Sequence, residues 1–160
     1  MPNREIVLLR HAHAEPATAG IADHDRSLDA HGHREADAAA AWLAGQAVAP
    51  DRILCSAAMR ARQTCAPVLA VLGLGEPHID DRIYDASAGT LIDVLDENSD
   101  ARCLLLVGHN PGLESVAALL STGASDMGRG LPPGGIVRLV VPEGCALEPG
   151  SAEIRQFWWP

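Results

Sequence analysis

The chain has 160 residues, enough for one domain with a substantial core, and carries a net charge of −9, which disfavours nucleic acid and anionic membrane as partners. All twelve of its basic residues are Arg, which excludes a P-loop lysine or a Schiff-base mechanism. No apolar run approaches the roughly 20 residues of a membrane span, and Arg4-Glu5 before a short apolar stretch is not a signal-peptide pattern, so the expected location is the cytoplasm. The four cysteines (Cys55, Cys65, Cys103, Cys145) form no C-x-x-C pair and read as small buried hydrophobes.

In chain order, residues 5–10 read as a strand buried on both faces, ending in Arg10-His11. Residues 16–29 are polar and turn-rich, a loop over the strand end. The Ala-rich stretch 33–46 predicts a helix, 52–55 a short strand, and 58–72 a second helix that Pro67 should kink or shorten. A third helix is expected over 89–97 and a second buried strand over 102–107, leading to His109. Asn110-Pro111-Gly112 then opens a helix to about residue 120, with Asn110 as N-cap. Residues 136–141 and 153–158 read as an antiparallel strand pair. This alternation predicts an α/β fold, a mostly parallel central sheet with helices on both faces, in a single domain over 1–160. Sites in such sheets lie at the carboxyl ends of strands, where Arg10-His11 and His109 both fall.

Arg60 follows the strand 52–55, so three strand ends can converge on one pocket. Two Arg forks with a His would neutralise a tetrahedral phosphoryl group, and a neutral His could attack phosphorus in line. The helix start near Pro111 would add positive field.

Several segments, in order, resemble one family. Leu9-Arg10-His11-Ala12 is similar to the R-H-G signature of the histidine phosphatase superfamily, in the Ala variant of its SixA-like phosphohistidine phosphatases. Asp25 to Gly32 resembles D-R-P-L-T-x-x-G, with Ser27 for Pro. Ser56 to Thr64 resembles S-P-x-x-R-A-x-Q-T, with Ala57 for Pro. Ile83 to Ser87 resembles L-Y-E-A-S, and Val107 to Gly112 matches V-G-H-N-P-G. The resemblance implies the three-layer histidine phosphatase fold, His11 as nucleophile, and Arg10, Arg60 and His109 as phosphoryl ligands. It further implies Arg26 as an auxiliary phosphate contact, Arg62 as a surface residue, and no cofactor or metal. Asp85 is the nearest candidate for a leaving-group acid. The substrate expected is a phosphohistidine on a partner protein, with a small phosphomonoester or a non-catalytic phosphate-binding role as alternatives, and the chain is read as a monomer.

His11-x-His13 also resembles the metal pair of amidohydrolases, but that barrel takes roughly 250 residues and Arg10 would repel a cation. His24, His31, His33 and His78 are expected in loops or solvent, and Trp158 and Trp159 at a core edge.

Overall fold

The computed structural model describes residues 3–160, so the first two residues of the expected 1–160 domain lie outside the described part. Its sheet has six strands: β1 (Arg4–Arg10), β2 (Arg52–Cys55), β3 (His78–Ile79), β4 (Cys103–Gly108), β5 (Ile136–Val141) and β6 (Glu153–Trp158). Their spatial order is β3-β2-β4-β1-β5-β6. The β1–β4, β2–β4 and β2–β3 pairs are parallel; β1–β5 and β5–β6 are antiparallel. The α/β class, the mostly parallel sheet and the antiparallel pair at its carboxyl-terminal end are all as the sequence predicts.

The run Ile6-Val7-Leu8-Leu9 has no polar alternation because β1 is central and covered on both sides. Ile6 and Leu8 point to one face, where they join Leu104, Leu106 and the helices α3 (Ala88–Glu97) and α4 (Gly112–Thr122). Val7 and Leu9 point to the other, toward Leu105, Val107, α1 (Ala30–Gly45) and α2 (Met59–Leu72). Period-two alternation of side chains across a strand turns one apolar run into two cores, giving three layers.

Several local expectations need correction. Helix α1 starts three residues earlier than predicted, because the Asp29 carboxylate caps it by accepting from the Gly32 amide (2.7 Å). Gly32 is required there by close approach: a Cβ would lie 1.9 Å from the His13 carbonyl oxygen. Pro67 does not shorten α2, which continues to Leu72. The buried Cys65 and Val68 flank it, and their packing on the sheet offsets the lost backbone hydrogen bond. Asn110 is not the cap of α4; Pro111 holds that position, after a cis Asn110–Pro111 peptide. The Asn110 amide donates instead to Glu114 (2.6 Å) and to the Leu131 carbonyl (2.9 Å). Cys145 is exposed rather than buried, and Cys103 is half-buried. Trp158 stacks on Trp42 at 5.2 Å, closing a core edge as expected, but Trp159 is exposed and packs edge-on to Phe157 beneath Arg129. The short β3 and the 3-10 turns at Asp23–Asp25 and Asp81–Ile83 had no periodic signal to reveal them. No helix among the described residues is long and apolar enough to cross a membrane.

Candidate active site

Sheet register brings the predicted residues together. Arg10 pairs with Gly108, and Cys55 with Val107, so the carboxyl ends of β2, β4 and β1 finish side by side. The ladder runs one step further on each side: the His11 amide donates to the Gly108 carbonyl (3.0 Å) and the Ser56 amide to that of Val107 (3.0 Å). His11, Ser56 and His109 are therefore placed by backbone that belongs to the central sheet. Thr64 locks helix α2 onto this floor, accepting from the Ala12 amide (3.0 Å) while donating to the Arg60 carbonyl (2.7 Å).

The His11 and His109 rings lie 5.1 Å apart. His11 Nδ1 donates to the Ala12 carbonyl (2.8 Å), since a carbonyl can only accept. That fixes the tautomer and leaves the Nε2 lone pair free. Burial holds the His11 pKa down at about 4, opposed by the bond to Ala12 and reinforced by the positive fields of Arg60, Arg10 and Arg26. The ring is therefore uncharged at neutral pH. His109 is pushed down further, to about 3, first by burial and then by His11 and Arg60. Its Nε2 meets Ser56 Oγ at 2.7 Å, and Ser56 Oγ accepts from the Ala58 amide (3.2 Å). In the tautomer in which Ser56 gives its proton to Nε2, the His109 proton sits on Nδ1. That Nδ1 is buried and has no partner among the described residues, and the same holds for the Nε of Arg10. In that tautomer both are donors, and a tetrahedral oxyanion would satisfy them.

Arg10 is tethered through Nη1 to the Leu131 carbonyl (2.8 Å). Arg60 is buried, and its fork is engaged on the loop 16–29: Nη1 donates to the Asp23 carbonyl (2.7 Å) and Nη2 to the Asp23 carboxylate (3.1 Å). Arg26 donates to the same carboxylate (2.9 Å) and to the Glu15 carbonyl (2.9 Å). Tyr84 donates to it at 2.5 Å, and its ring lies 5.6 Å from His109 and 5.9 Å from the Arg60 guanidinium carbon. The Tyr84 hydroxyl, then Arg26 and Arg60, hold the Asp23 carboxyl far below the usual carboxylate range. Asp23 is thus held as an anion at the wall of the site, which makes it a poor proton donor.

Sequence reasoning missed Asp23, Tyr84 and Ser56 as site members. Tyr84 and Ser56 lay inside segments with a family resemblance; Asp23 had only its three-residue offset from Arg26 as a signal. Asp85 follows Tyr84, exposed, with φ of 58°. Arg62 is exposed, as expected. So are His13, His31, His33 and His78, while His24 is half-buried against Tyr84. A cavity of about 680 Å³ lined by Arg4, Asp96, Asp100 and Arg102 lies at the amino ends of β1 and β4, the wrong end of the sheet for this chemistry. The one group of three metal-ligating side chains among the described residues, His13, His31 and Glu35, shares no member with the histidine–arginine cluster.

Comparison with known proteins agrees with this geometry. The histidine phosphatase superfamily (branch 1) profile matches residues 6–103. The chain belongs to that superfamily. It is 38% identical over 151 residues to an uncharacterized protein of Mycobacterium tuberculosis, covering 88% of this chain and 93% of that protein. SixA from Agrobacterium tumefaciens, assigned as a phosphohistidine phosphatase, superposes with a TM-score of 0.86 at 28% identity, over 100% of this chain and 99% of that one. SixA from Nakamurella multipartitia, with the same assignment, gives 0.82 at 30% identity, over 99% and 96%. SixA-like members of the superfamily are therefore what this chain is similar to along its whole length.

Proposed function

We propose that this histidine phosphatase superfamily member removes the phosphoryl group of a phosphohistidine on a partner protein, through a phosphohistidine formed at His11 and without a cofactor. The observation that carries the reading is the uncharged His11 ring, its Nδ1 proton committed to Ala12 and its Nε2 free, within the field of three arginines. Such a nitrogen is a competent nucleophile at neutral pH, and the surrounding guanidinium groups stabilise charge on the equatorial oxygens.

In the first step His11 Nε2 forms a bond to phosphorus. The substrate P–N bond breaks, and its electron pair leaves on the substrate imidazole, which takes up a proton from solvent. In the second step water attacks phosphorus, the bond to His11 breaks, and inorganic phosphate departs with the imidazole restored. Arg10, Arg60, Arg26 and the Nδ1–H of His109 are the phosphoryl ligands. An imidazole leaving group needs less acid assistance than an alkoxide, which fits a wall whose Asp23 stays ionised. Asp85, beside Tyr84 at the exposed rim, is the carboxyl group left to assist a poorer leaving group.

The likeness to SixA proteins supports the phosphohistidine substrate, as does a chain too short for a large capping insertion. Incubation with a phosphohistidine-bearing protein and with small aryl phosphates tests the substrate class. The protein should turn over at the higher kcat/KM; faster hydrolysis of the small esters overturns that choice. His11→Ala should abolish both activities while leaving oxyanion binding measurable. Residual turnover in that variant would remove His11 as nucleophile.

A further inference from the structure

We propose that His13, His31 and Glu35 form a binding site for one divalent transition-metal ion of the Zn²⁺ type, beside the histidine–arginine pocket and sharing no ligand with it. Two imidazoles and a carboxylate are a zinc donor set, whereas Mg²⁺ and Ca²⁺ would want oxygen ligands throughout. One ligand atom from each of the three side chains lies within 4.8 Å of the others. His13 Nδ1 is 2.7 Å from Glu35 Oε1, and His31 Nε2 is 3.7 Å from Glu35 Oε2. These separations run to the two different carboxylate oxygens, and the ligand–ligand edge of about 3.3 Å set by a tetrahedron with bonds of about 2.0–2.1 Å falls inside the 4.8 Å spread of the three ligand atoms.

The site is fixed in place by backbone. His31 and Glu35 are one turn apart on α1 and face the same way. The main chain of His13 is fastened to that helix: its amide donates to Glu35 Oε1 (2.9 Å), its carbonyl accepts from the Asp29 amide (3.1 Å), and Gly32 lets the two backbones touch. Glu35 is buried, with a side chain only 8% exposed, while the rings of His13 and His31 are 48% and 58% exposed. The carboxylate is therefore the inner ligand and the imidazoles the outer ones, with solvent access for the ion and for water in the remaining position.

The charge balance also favours this site. Among the described residues, Glu35 has ion-pair partners only in His13 and His31, neither of which carries a fixed charge. The sequence argument against a metal at His13 was repulsion by Arg10. Glu35 places a carboxylate against His13, and Arg10 is turned through Nη1 to the Leu131 carbonyl. On binding, His13 Nδ1 would present its lone pair to the ion, with the ring proton carried on Nε2.

Zinc titration by calorimetry on the full chain, with Cys145 replaced by Ser to remove the exposed thiol, tests the proposal without reference to phosphatase activity. One equivalent should bind, raising the melting temperature, and Co²⁺ in its place should give the visible absorption of a low-symmetry site. His31→Ala and His13→Ala should each weaken binding at least about tenfold. His31 is exposed, so the metal-free melting temperature of His31→Ala should match that of the parent. His33→Ala, which removes another exposed histidine of the same helix, should leave affinity unchanged. Equal losses in His33→Ala and His31→Ala, or no saturable uptake by the parent, would overturn the site and leave only the hydrogen-bonded His13–Glu35 pair.

Discussion

The floor and the wall of the pocket are built in different ways. The floor is His11 and Ser56, whose backbones continue the hydrogen-bond ladder of β1 and β2 against β4, and His109, the residue that follows the end of β4. The wall is Asp23, Arg26 and Tyr84, drawn from two irregular segments and held by side-chain bonds that meet on one carboxylate. Arg60 belongs to both: its backbone starts α2 above the floor, and its fork reaches the wall. Positions fixed by a sheet can align a nucleophile with its target, whereas a wall pinned by ion pairs can release and re-form around a substrate. Perturbing the floor should therefore reduce turnover sharply, and perturbing the wall should mainly alter binding.

The largest expected effect is at the residue they share. Arg60→Ala should lower kcat/KM by about 10²–10³-fold, the usual cost of removing one oxyanion donor. Arg60→Lys should recover only part of this, because both arms of the fork are in use and an ammonium offers a point charge. Steady-state kinetics on an aryl phosphate decide it; a loss under about fivefold would remove Arg60 from the phosphoryl site.

Burial of two uncharged imidazoles predicts a pH-dependent stability. Both folded pKa values lie below the ordinary 6.5, near 4 for His11 and near 3 for His109. Above 6.5 neither state takes up a proton at these positions. As pH falls from 6.5 toward 4 the unfolded chain is protonated first, so stability is lost across that window. The loss from the pair is on the order of 3 kcal/mol once partial solvent access is allowed for. Urea midpoints at steps from neutral pH to pH about 4.5 should fall, and His11→Gln should flatten the slope. An unchanged slope in that variant would mean that His11 titrates as it does in the unfolded chain.

A smaller effect is expected at Ser56. Ser56→Ala removes the hydroxyl that holds His109 Nε2 and should lower kcat about tenfold, with Ser56→Thr restoring part of it. Unchanged kcat would show that the His109 ring is oriented by packing against Tyr84 and His11 alone.

The same division explains what the sequence made legible. Ile6 to Leu9 and Leu104 to Val107 are unbroken apolar runs, so their ends, and hence His11 and His109, could be located before any coordinates. Arg60 followed from the short strand before it. Asp23 could not be found this way: it lies in a polar loop among Asp, His and Ala, and its importance comes from three side chains folding onto it from 3, 37 and 61 positions away. Helix α1 was misplaced for a related reason. His-Gly-His is poor helix-forming sequence, and the cap at Asp29 acts only because the His13 backbone packs against Gly32. The amide of Asn110 was assigned to the nearest helix end, whereas Glu114 and the distant Leu131 carbonyl claim it. Periodicity records strands; it does not record which loop side chain a buried cation will select.

The finest test of the division between floor and wall is Asp23→Asn. The substitution keeps a side-chain carbonyl able to accept from Tyr84, Arg26 or Arg60, and it removes the negative charge that these two arginines share. Asp23 is half-exposed, so its ion pairs are screened and each contributes modestly, on the order of 0.5–1 kcal/mol. Asp23 and a phosphoryl group compete for the same positive field, so the variant should bind inorganic phosphate or vanadate about threefold more tightly, read as the competitive inhibition constant. High salt should shrink the difference. The kcat of the variant should change less than that of Ser56→Ala, because the floor is untouched. Weaker anion binding in Asp23→Asn would reverse the assignment: the carboxylate would then act by holding Arg60 in place, and the wall would be as fixed a part of the machinery as the floor.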